Sequence, residues 1–557
     1  MNALAVLYGG SLTKYAFERA FDGRCALDLA LERAAAFPGV TKTALLAGPL
    51  FDGLADSAGW KRPPSVELIP AASWTRKTLL EAVSAGSQGF DLSYFAWADS
   101  PFLDPALAGA VAERHLKYAA EYSYADGWPC GFAPEILAPG VAGILAKILG
   151  DDGRAVERDA LFSAVEKDIN AFDIETEISA VDLRVHRLCF TADSKRNFLL
   201  VTRFAGAGFR SARDAEKFIA ENPGLLRTLP AFYAVQVSGP CPQACRLCPY
   251  PQYGAQKGLS VTERRDFLDP AKFGALLDKI IAFSGDAVVD ISLWGELALH
   301  PEKIDLVNMA LDKPELSLVI ETSALGWKRG ELEALAAASA AAAAKRPFKS
   351  WTAPAGPLSW VLSLDASTPE RYRELRGEGF DEAAATAKTV AELFPGDTYV
   401  QALRTRGAED DAEAFYRHWT GASGAASVTL PSGTRLDRAK VIIQKFDDFC
   451  GALPRLQASD LSPVERRSCW HLLRDMNILI DGRVPLCRED LGALSGQTPA
   501  ATPTALPQES SSRILGNAFE EALETIWERG MDRCLEQGAG HYTGICAECD
   551  EYYTFNF

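Results

Sequence analysis

The sequence predicts an α/β protein of several parts: an N-terminal α/β domain, a central partial (β/α)6 barrel and a small C-terminal domain that carries cysteines. Three observations lead there. Apolar runs of strand length alternate with helical patterns twice, once before residue 150 and again from Phe232. Nine of the twelve cysteines fall after residue 240, most of them in tight spacings. At 557 residues the chain is too long for one core and is expected to divide into roughly three or four units.

In residues 1–150, "LAVLY", "KTALLAG" and "LSYFAWADSPF" read as strands, and "CALDLALERAAAF" between them as a helix. That alternation is of the doubly wound sort. Residues 151–230 are more charged and mixed, and "VEKDINAFDIETEIS" reads as a helical connector. From 231 to 435 six strand-like runs follow: "FYAVQVS", "VVDISLW", "LSLVIET", "WVLSLD", "TYVQALR" and "ASVTLP". Helical stretches separate most of them, which implies parallel strands with right-handed crossovers, too few for an eight-fold barrel but enough for a partial one. Function in such sheets gathers where strands end. The alanine-rich run from Leu335 to Lys345 reads as a surface helix or a helix-linker. Residues 436–557 form the cysteine-bearing tail, interrupted at 491–513 by a Pro/Ser/Thr/Ala-rich stretch that reads as a mobile insertion. The aromatic terminal segment "CAECDEYYTFNF" is expected to be tied down onto the body.

A formal net charge of −17 argues against a nucleic acid held by its phosphates and against an anionic membrane surface. No apolar run reaches the roughly 20 residues of a membrane span, and the first residues read as a strand without the basic flank of a signal peptide. A cytoplasmic location is expected, where thiols stay reduced. Cys25, Cys130 and Cys189 lie among apolar neighbours and read as small buried hydrophobes.

The stretch "SGPCPQACRLCPYP" places Cys241, Cys245 and Cys248 directly after the strand "FYAVQVS". Pro240, Pro242, Pro249 and Pro251 stiffen the loop. Three thiolates on such a loop can each bind one iron of a [4Fe–4S] cubane and leave the fourth iron open to an exogenous ligand. Zinc is the rival, although a structural zinc site wants a fourth ligand.

The spacing Cys241-x3-Cys245-x2-Cys248 resembles the signature of the radical S-adenosylmethionine (SAM) superfamily. The resemblance implies a partial (β/α)6 radical SAM barrel in which the methionine part of SAM chelates the open iron. Reduction of the cluster then cleaves SAM to a 5′-deoxyadenosyl radical that abstracts a substrate hydrogen. The aromatic residue usual before the last cysteine is Leu247 here, and Tyr250 is the ring expected to stand in for it. In "LWGELALHPE", Gly295 and Glu296 match the pair that meets the SAM amino group, with Trp294 in place of the preceding glycine. "VLSLDASTPERYRELRG" resembles the fourth-strand segment of the peptide-modifying branch, where Ser363 and Arg376 match contacts to SAM ribose and carboxylate; a salt bridge between Asp365 and Arg376 is the alternative. Gln401 and Arg404 are offered at the fifth strand end, as SAM contacts or as a solvated polar strand end.

Farther on, Cys469-x12-Gly482-x4-Cys487 resembles the opening of the SPASM domain, with Cys546-x2-Cys549 downstream. Asp481-Gly482 reads as the turn of a small hairpin, "ILIDGRVPLC". The resemblance implies one auxiliary [4Fe–4S] cluster held by Cys469, Cys487, Cys546 and Cys549, as in the shortened twitch variant; a zinc ribbon could use the same thiolates. Cys534 is a substitute ligand or a spare, Cys450 reads as structural, and His471 as a packed or capping residue. Phrases such as "DLSPVERRSCWHLLRDMNILIDGRVPLCRED" resemble a narrower group, the spirochaete-type SPASM proteins.

The N-terminal segment "YFAWADSPFLDPALAGAVAERH" resembles sugar-nucleotide cytidylyltransferases, in which an aspartate at the position of Asp99 binds the catalytic metal. Gly9-Gly10 makes a poor phosphate cradle, so a nucleotidyltransferase-like fold with lost catalysis is expected. Taken together, the resemblances imply a radical SAM enzyme that modifies a peptide or protein, reduced by a donor such as flavodoxin or ferredoxin. Two other readings stay open: radical modification of a sugar or nucleotide-sugar, and a non-catalytic zinc-stabilised binding scaffold.

Overall fold

Strand β1 (Ala3–Gly9) is buried along its whole length, and alternate residues face opposite layers. Ala3, Ala5 and Leu7 enter one apolar cluster with the helices Ala26–Ala35 and Pro105–Lys117. Leu4, Val6 and Tyr8 enter another with the helices Arg76–Gly86 and Val141–Leu149. A strand apolar on both faces needs helices on both sides, which is why this run forms the centre of a doubly wound sheet. With β2 (Val40–Ala47), β3 (Val66–Pro70), β4 (Leu92–Trp97), β5 (Tyr122–Asp126), β6 (Glu135–Leu137) and β7 (Ile174–Ile178), the order is β3-β2-β1-β4-β6-β5-β7. Only β6 runs against its neighbours.

The computed structural model describes residues 1–557 apart from 152, 257, 347–355, 421–439, 459–465, 495–512 and 553–557. The chain divides into two compact units, Met1–Thr228 and Leu229–Phe557. The segment read as a helical connector therefore belongs to the first unit. Within it, Phe162–Val165 and Glu166–Ala171 coil, but "IETEI" alternates and becomes β7, paired in parallel with β5. Phe190, Phe204 and Phe209 then close a cluster over Phe102 and Phe132. Cys130 and Cys189, far apart in sequence, face one another across an isolated parallel bridge.

In the second unit, β8 (Phe232–Val235), β9 (Ala287–Asp290), β10 (Leu316–Thr322), β11 (Leu358–Ser363), β12 (Thr398–Arg404) and β13 (Lys440–Lys445) lie side by side in chain order, all parallel. Here one face of the strands (Val235, Val289, Leu318, Trp360) packs on the intervening helices, such as Pro270–Ser284 and Phe380–Leu393. The other face carries Val288, Val319 and Val361, which pack on one another. Helices on one face only make this the singly wound arrangement of a (β/α) barrel rather than a doubly wound sheet. The alanine-rich run is the end of helix Arg329–Ala344, as its composition predicts.

Three expectations change. "ASVTLP" lies outside the described residues, and the sixth parallel strand is "KVIIQK", beyond residue 435. A further strand, β14 (Asp475–Ile478), pairs in parallel with β8, so part of the cysteine-bearing tail extends the barrel sheet. The turn at Gly482 forms, with φ 88° and its N–H donating to Leu479 O at 2.8 Å. The strand leaving it, β15 (Arg483–Pro485), pairs with β16 (Ile514–Asn517) instead of closing a hairpin on β14. β14 itself pairs with β8 and ends that sheet. No helix among the described residues is long and apolar enough to cross a membrane.

Asp475, at the start of β14, accepts hydrogen bonds from His471 and Arg474. Burial opposes its charge, but Arg474 and His471 outweigh it and hold its pKa at about 2, below the ordinary 3.8. A depressed carboxyl stabilises the fold above its unfolded pKa and loses that contribution as pH falls through the folded one. Acid unfolding should therefore show an extra loss of roughly 2 kcal/mol between about pH 4 and pH 2, absent from Asp475→Asn. Denaturant midpoints measured across that range check it. His471 is thus a packed partner, 7% exposed.

Candidate functional site

The loop after β8 is tied down by its neighbours: Gly239 N–H donates to Asp266 O, Cys241 N–H to Val261 O and Arg246 N–H to Leu375 O. Cys241, Cys245 and Cys248 open from it onto a cavity of about 240 Å³. Burial raises all three thiols, Cys248 to about 12, while Arg376 opposes the rise at Cys245. Three thiols that must be deprotonated to bind metal are thus held protonated, and a soft metal would displace those protons.

The other lining comes from successive strand ends. After β9, Gly295 takes φ 79°, and a Cβ there would stand 2.0 Å from Ser238 O. The glycine lets the loop press against the cysteine loop, with Glu296 N–H donating to Pro240 O at 2.9 Å. Gly295→Ala should therefore destabilise the second unit by roughly 2–4 kcal/mol. Gly330→Ala, in the first turn of a helix with open space at its Cβ, should change stability by less than about 0.5 kcal/mol. Thermal denaturation of the pair tests both.

Glu296 is 3% exposed, and its carboxylate accepts from Thr322 Oγ1 at 2.7 Å, Ser323 N at 2.8 Å, Ser323 Oγ at 2.6 Å and Ala298 N at 3.2 Å. Its role on these contacts is to join two strand ends. Ser363 Oγ donates to Glu321 at 2.7 Å, and Gln401 Nε2 bridges Glu321 at 3.1 Å and Ser363 at 3.3 Å. Arg376 makes the salt bridge weighed from the sequence, Nε to Asp365 at 2.6 Å, and still reaches Cys245 Sγ at 4.0 Å. Asp365 has φ 61°, and its other oxygen accepts Leu403 N–H at 2.8 Å, which fixes the clamp. Tyr250 is buried, donates to Gly239 O at 2.7 Å and stacks on Trp294 at 5.7 Å between centroids. The ring and the unexpected tryptophan thus form one wall, and Phe449 leans on Trp294 at 5.9 Å.

Arg404 is the predicted site residue that does not line this cavity. Gln401 and Leu403 do, and the two-residue period of β12 turns Arg404 to the opposite face. Sequence reasoning missed Glu321, whose signal was an acidic residue ending an otherwise apolar strand. It also missed the ionic wall of Lys445, Asp447, Arg488 and Glu551. Among the described residues, the group whose metal-ligating atoms lie within 4.8 Å of one another is Asp447, Asp550 and Glu551. Lys445 Nζ already stands among those acids, 2.9 Å from Asp550 and 3.0 Å from Glu551. The three loop sulfurs are spread more widely than that, whereas one tetrahedral zinc draws its thiolates in with bonds of about 2.3 Å.

A second set of thiols gathers in the C-terminal region. Cys469 and Cys487 are buried there and Cys546 and Cys549 half-buried, with Cys469 in electrostatic range of Cys546 and Cys549, and Cys487 of Cys469 and Cys549. Cys450, read as structural, is half-buried. Cys534 is buried in helix Met531–Gly538. The terminal segment is tied down at Tyr552, whose O accepts Trp470 N–H at 3.1 Å.

In the first unit, Asp99 is clasped by Arg158, Nη1 to Oδ1 at 2.9 Å, and the same guanidinium reaches Asp193 at 3.2 Å and lies 4.4 Å over the Trp97 ring. The cationic partner of Asp99 is thus a residue of the chain itself. Beside Gly10, where a phosphate cradle would begin, a Cβ would meet Tyr8 Oη at 2.4 Å and Trp74 at 2.7 Å. That space is filled by side chains.

Among known proteins, one from Treponema pallidum (strain Nichols), described as an uncharacterized protein, is 34% identical over 404 residues, covering 71% of this chain and 98% of its own length. The chain belongs to that protein's family. No family model matches it. Among solved structures it is similar to SuiB of Streptococcus suis bound to the precursor peptide SuiA, at 13% identity and TM-score 0.38, over 66% of this chain and 76% of that one. It is also similar to a cytidylyltransferase from Leptospira borgpetersenii serovar Hardjo-bovis, at 16% identity and TM-score 0.33, over 40% of this chain and 95% of that one. In this family member, the three loop thiols and the polar strand ends meet at one cavity, and Asp99 is engaged by Arg158.

Proposed function

We propose that the chain is a radical SAM enzyme of the spirochaete-type SPASM kind that modifies a peptide or protein. The observation that carries this reading is the opening of Cys241, Cys245 and Cys248, at the end of β8, onto one cavity with Ser363, Arg376 and Gln401. Those thiols would hold a [4Fe–4S] cluster, and the donor set fits: three soft ligands, short of the four that a closed site needs. Cluster and SAM together would supply a 5′-deoxyadenosyl radical. Around that space the chain's own residues have separate tasks. Arg376 places positive charge beside Cys245. Tyr250, Trp294 and Phe449 make an aromatic wall beside the thiol loop. Lys445, Asp447, Arg488 and Glu551 offer a polar substrate both signs of charge. The likeness of "VLSLDASTPERYRELRG" to the peptide-modifying branch supports a polypeptide substrate. Twelve free cysteines support a reducing, cytoplasmic setting with a flavodoxin or ferredoxin as donor.

The test is anaerobic reconstitution with iron, sulfide, reductant and SAM. Formation of 5′-deoxyadenosine is expected. Full iron loading without that product counts against the enzyme reading, and zinc in place of iron favours the binding scaffold. A sugar-nucleotide substrate has less support, because Arg158 clasps Asp99 and Tyr8 and Trp74 crowd Gly10.

A further inference from the structure

Glu321 lies near the end of β10, on the inner face of its sheet. Residues two apart on a strand share a face, so Asp290, Glu321 and Ser363 continue the row begun by Val288, Val319 and Val361. The apolar interior of the second unit thus gives way to polar side chains where the strands end, and Glu321 and Ser363 line the cavity there.

Glu321 is exposed, yet its carboxylate is held in place. Its Oε1 accepts from Ser363 Oγ at 2.7 Å and from Gln401 Nε2 at 3.1 Å, and its backbone N–H donates to Ser292 Oγ at 2.9 Å. Those donors are neutral, so they orient the charge without cancelling it. The basic side chains of the lining are each engaged by other acids. Arg376 pairs with Asp365 at 2.6 Å, Lys445 with Asp550 at 2.9 Å and Glu551 at 3.0 Å, and Arg488 with Glu489 at 3.1 Å. Among the described residues none donates to Glu321 Oε2 and no basic side chain pairs with it. Asp290, on the neighbouring strand, registers this uncompensated charge: burial first, and then Glu321, raise its carboxyl to about 7.

A fixed charge lining a cavity selects its opposite and repels its like. A carboxylate offers about four acceptor positions, and Ser363 and Gln401 occupy those of Oε1. One oxygen remains. That suits the point charge of an ammonium better than a guanidinium, which pairs with both oxygens of a carboxylate at once.

We propose that Glu321 is the specificity-determining residue of this cavity and that the substrate presents a primary ammonium group to it. The inference rests on the peptide-modifying reading of the same cavity and narrows it to a cationic substrate group. That group is either an amine-bearing side chain or a free amino terminus.

The probes are fluorescent, N-acetylated peptides of glycine, alanine and serine whose variable positions carry lysine, arginine, norleucine or glutamate. Binding to the reconstituted full chain with SAM is read by fluorescence anisotropy. Lysine peptides should bind at least about tenfold more tightly than norleucine peptides, the value of one charge-assisted hydrogen bond. Arginine should fall between them and glutamate should bind most weakly. The norleucine peptide with a free amino terminus shows whether the chain end can supply the ammonium. Glu321→Gln keeps an oxygen for Ser363 and Gln401, and in it the gap between lysine and norleucine should shrink below about threefold. Glu321→Asp, which keeps the charge, should restore part of it. Affinity for SAM, from equilibrium dialysis, should stay within about twofold in E321Q. A gap that survives E321Q belongs to the chain's overall charge of −17, and the inference falls. A loss of SAM affinity of about tenfold in E321Q assigns the carboxylate to SAM and overturns it as well. Lysine peptides that bind no better than norleucine ones, or not at all, also overturn it, as does a preference for arginine. The enzyme reading fails on a different measurement, iron-loaded protein that forms no 5′-deoxyadenosine, and the charge preference is still read from the peptides in that case.

Discussion

A chain carrying Cys241→Ala, Cys245→Ala and Cys248→Ala is expected to form no 5′-deoxyadenosine above the level without protein, and to lose about half its iron after reconstitution. The arithmetic follows from the two cubane centres proposed, of four irons each, so the expected fall is from about eight to about four per chain. The loss should be all-or-none, because the loop thiols line one cavity and none has a spare beside it in that loop. Backbone ties from Cys241 to Val261 and from Arg246 to Leu375 do not involve the thiols, so the loop should keep its course in the variant. Circular dichroism unchanged beside the lost iron would establish that. Product at the wild-type level from the triple variant would remove the loop from the chemistry altogether. Iron falling to nothing would mean that the two centres do not load independently.

Arg158→Leu should destabilise the first unit by about 3–5 kcal/mol, the cost of leaving buried charge without its partner. The side chains of Arg158, Asp99 and Asp193 are 7%, 4% and 2% exposed. Removing the guanidinium leaves two carboxylates facing one another out of water, and Thr191 and Asn197 compensate only Asp193, each at 2.8 Å. Arg158→Leu combined with Asp99→Asn and Asp193→Asn should recover much of the loss, since no unpaired charge remains. The single variant's deficit should shrink as pH falls through the carboxylate range, where either acid can take up a proton. Hydrogen exchange of amides in β1 and β4 reads this unit separately from the second. A loss below about 1 kcal/mol would place the triad with exposed ion pairs, which contribute little.

Much of this molecule is legible in short-range pattern. The run Ala3–Gly9, apolar at every position, announces a strand covered on both faces, and it is one. The Cys-x3-Cys-x2-Cys loop announces convergent thiols, because so few residues separate them and prolines limit their freedom. Gly482 marks a turn because that turn needs a positive φ. The errors occur where a local pattern fits two partners. "ILIDGRVPLC" looks like a hairpin, yet its first strand pairs with β8 and its second with β16. "IETEI" reads as helical from its charged surroundings, yet it forms a strand at the sheet edge.

Periodicity and spacing record what a segment needs within a few residues: which face to bury, where to turn, how close two thiols must stay. Those determine the α/β class, most of the strands and the first cysteine site. Which distant residues become neighbours is set by the order of strands in the sheet and by the turns that leave it, and no local pattern encodes that. Sheet order brings Glu321 to Ser363 and Gln401, and carries Lys445 to the cavity on a strand that lies beyond the predicted barrel. The same packing places Arg158 on Asp99. A pairing that burial makes favourable between segments far apart in the chain leaves no trace in either segment alone.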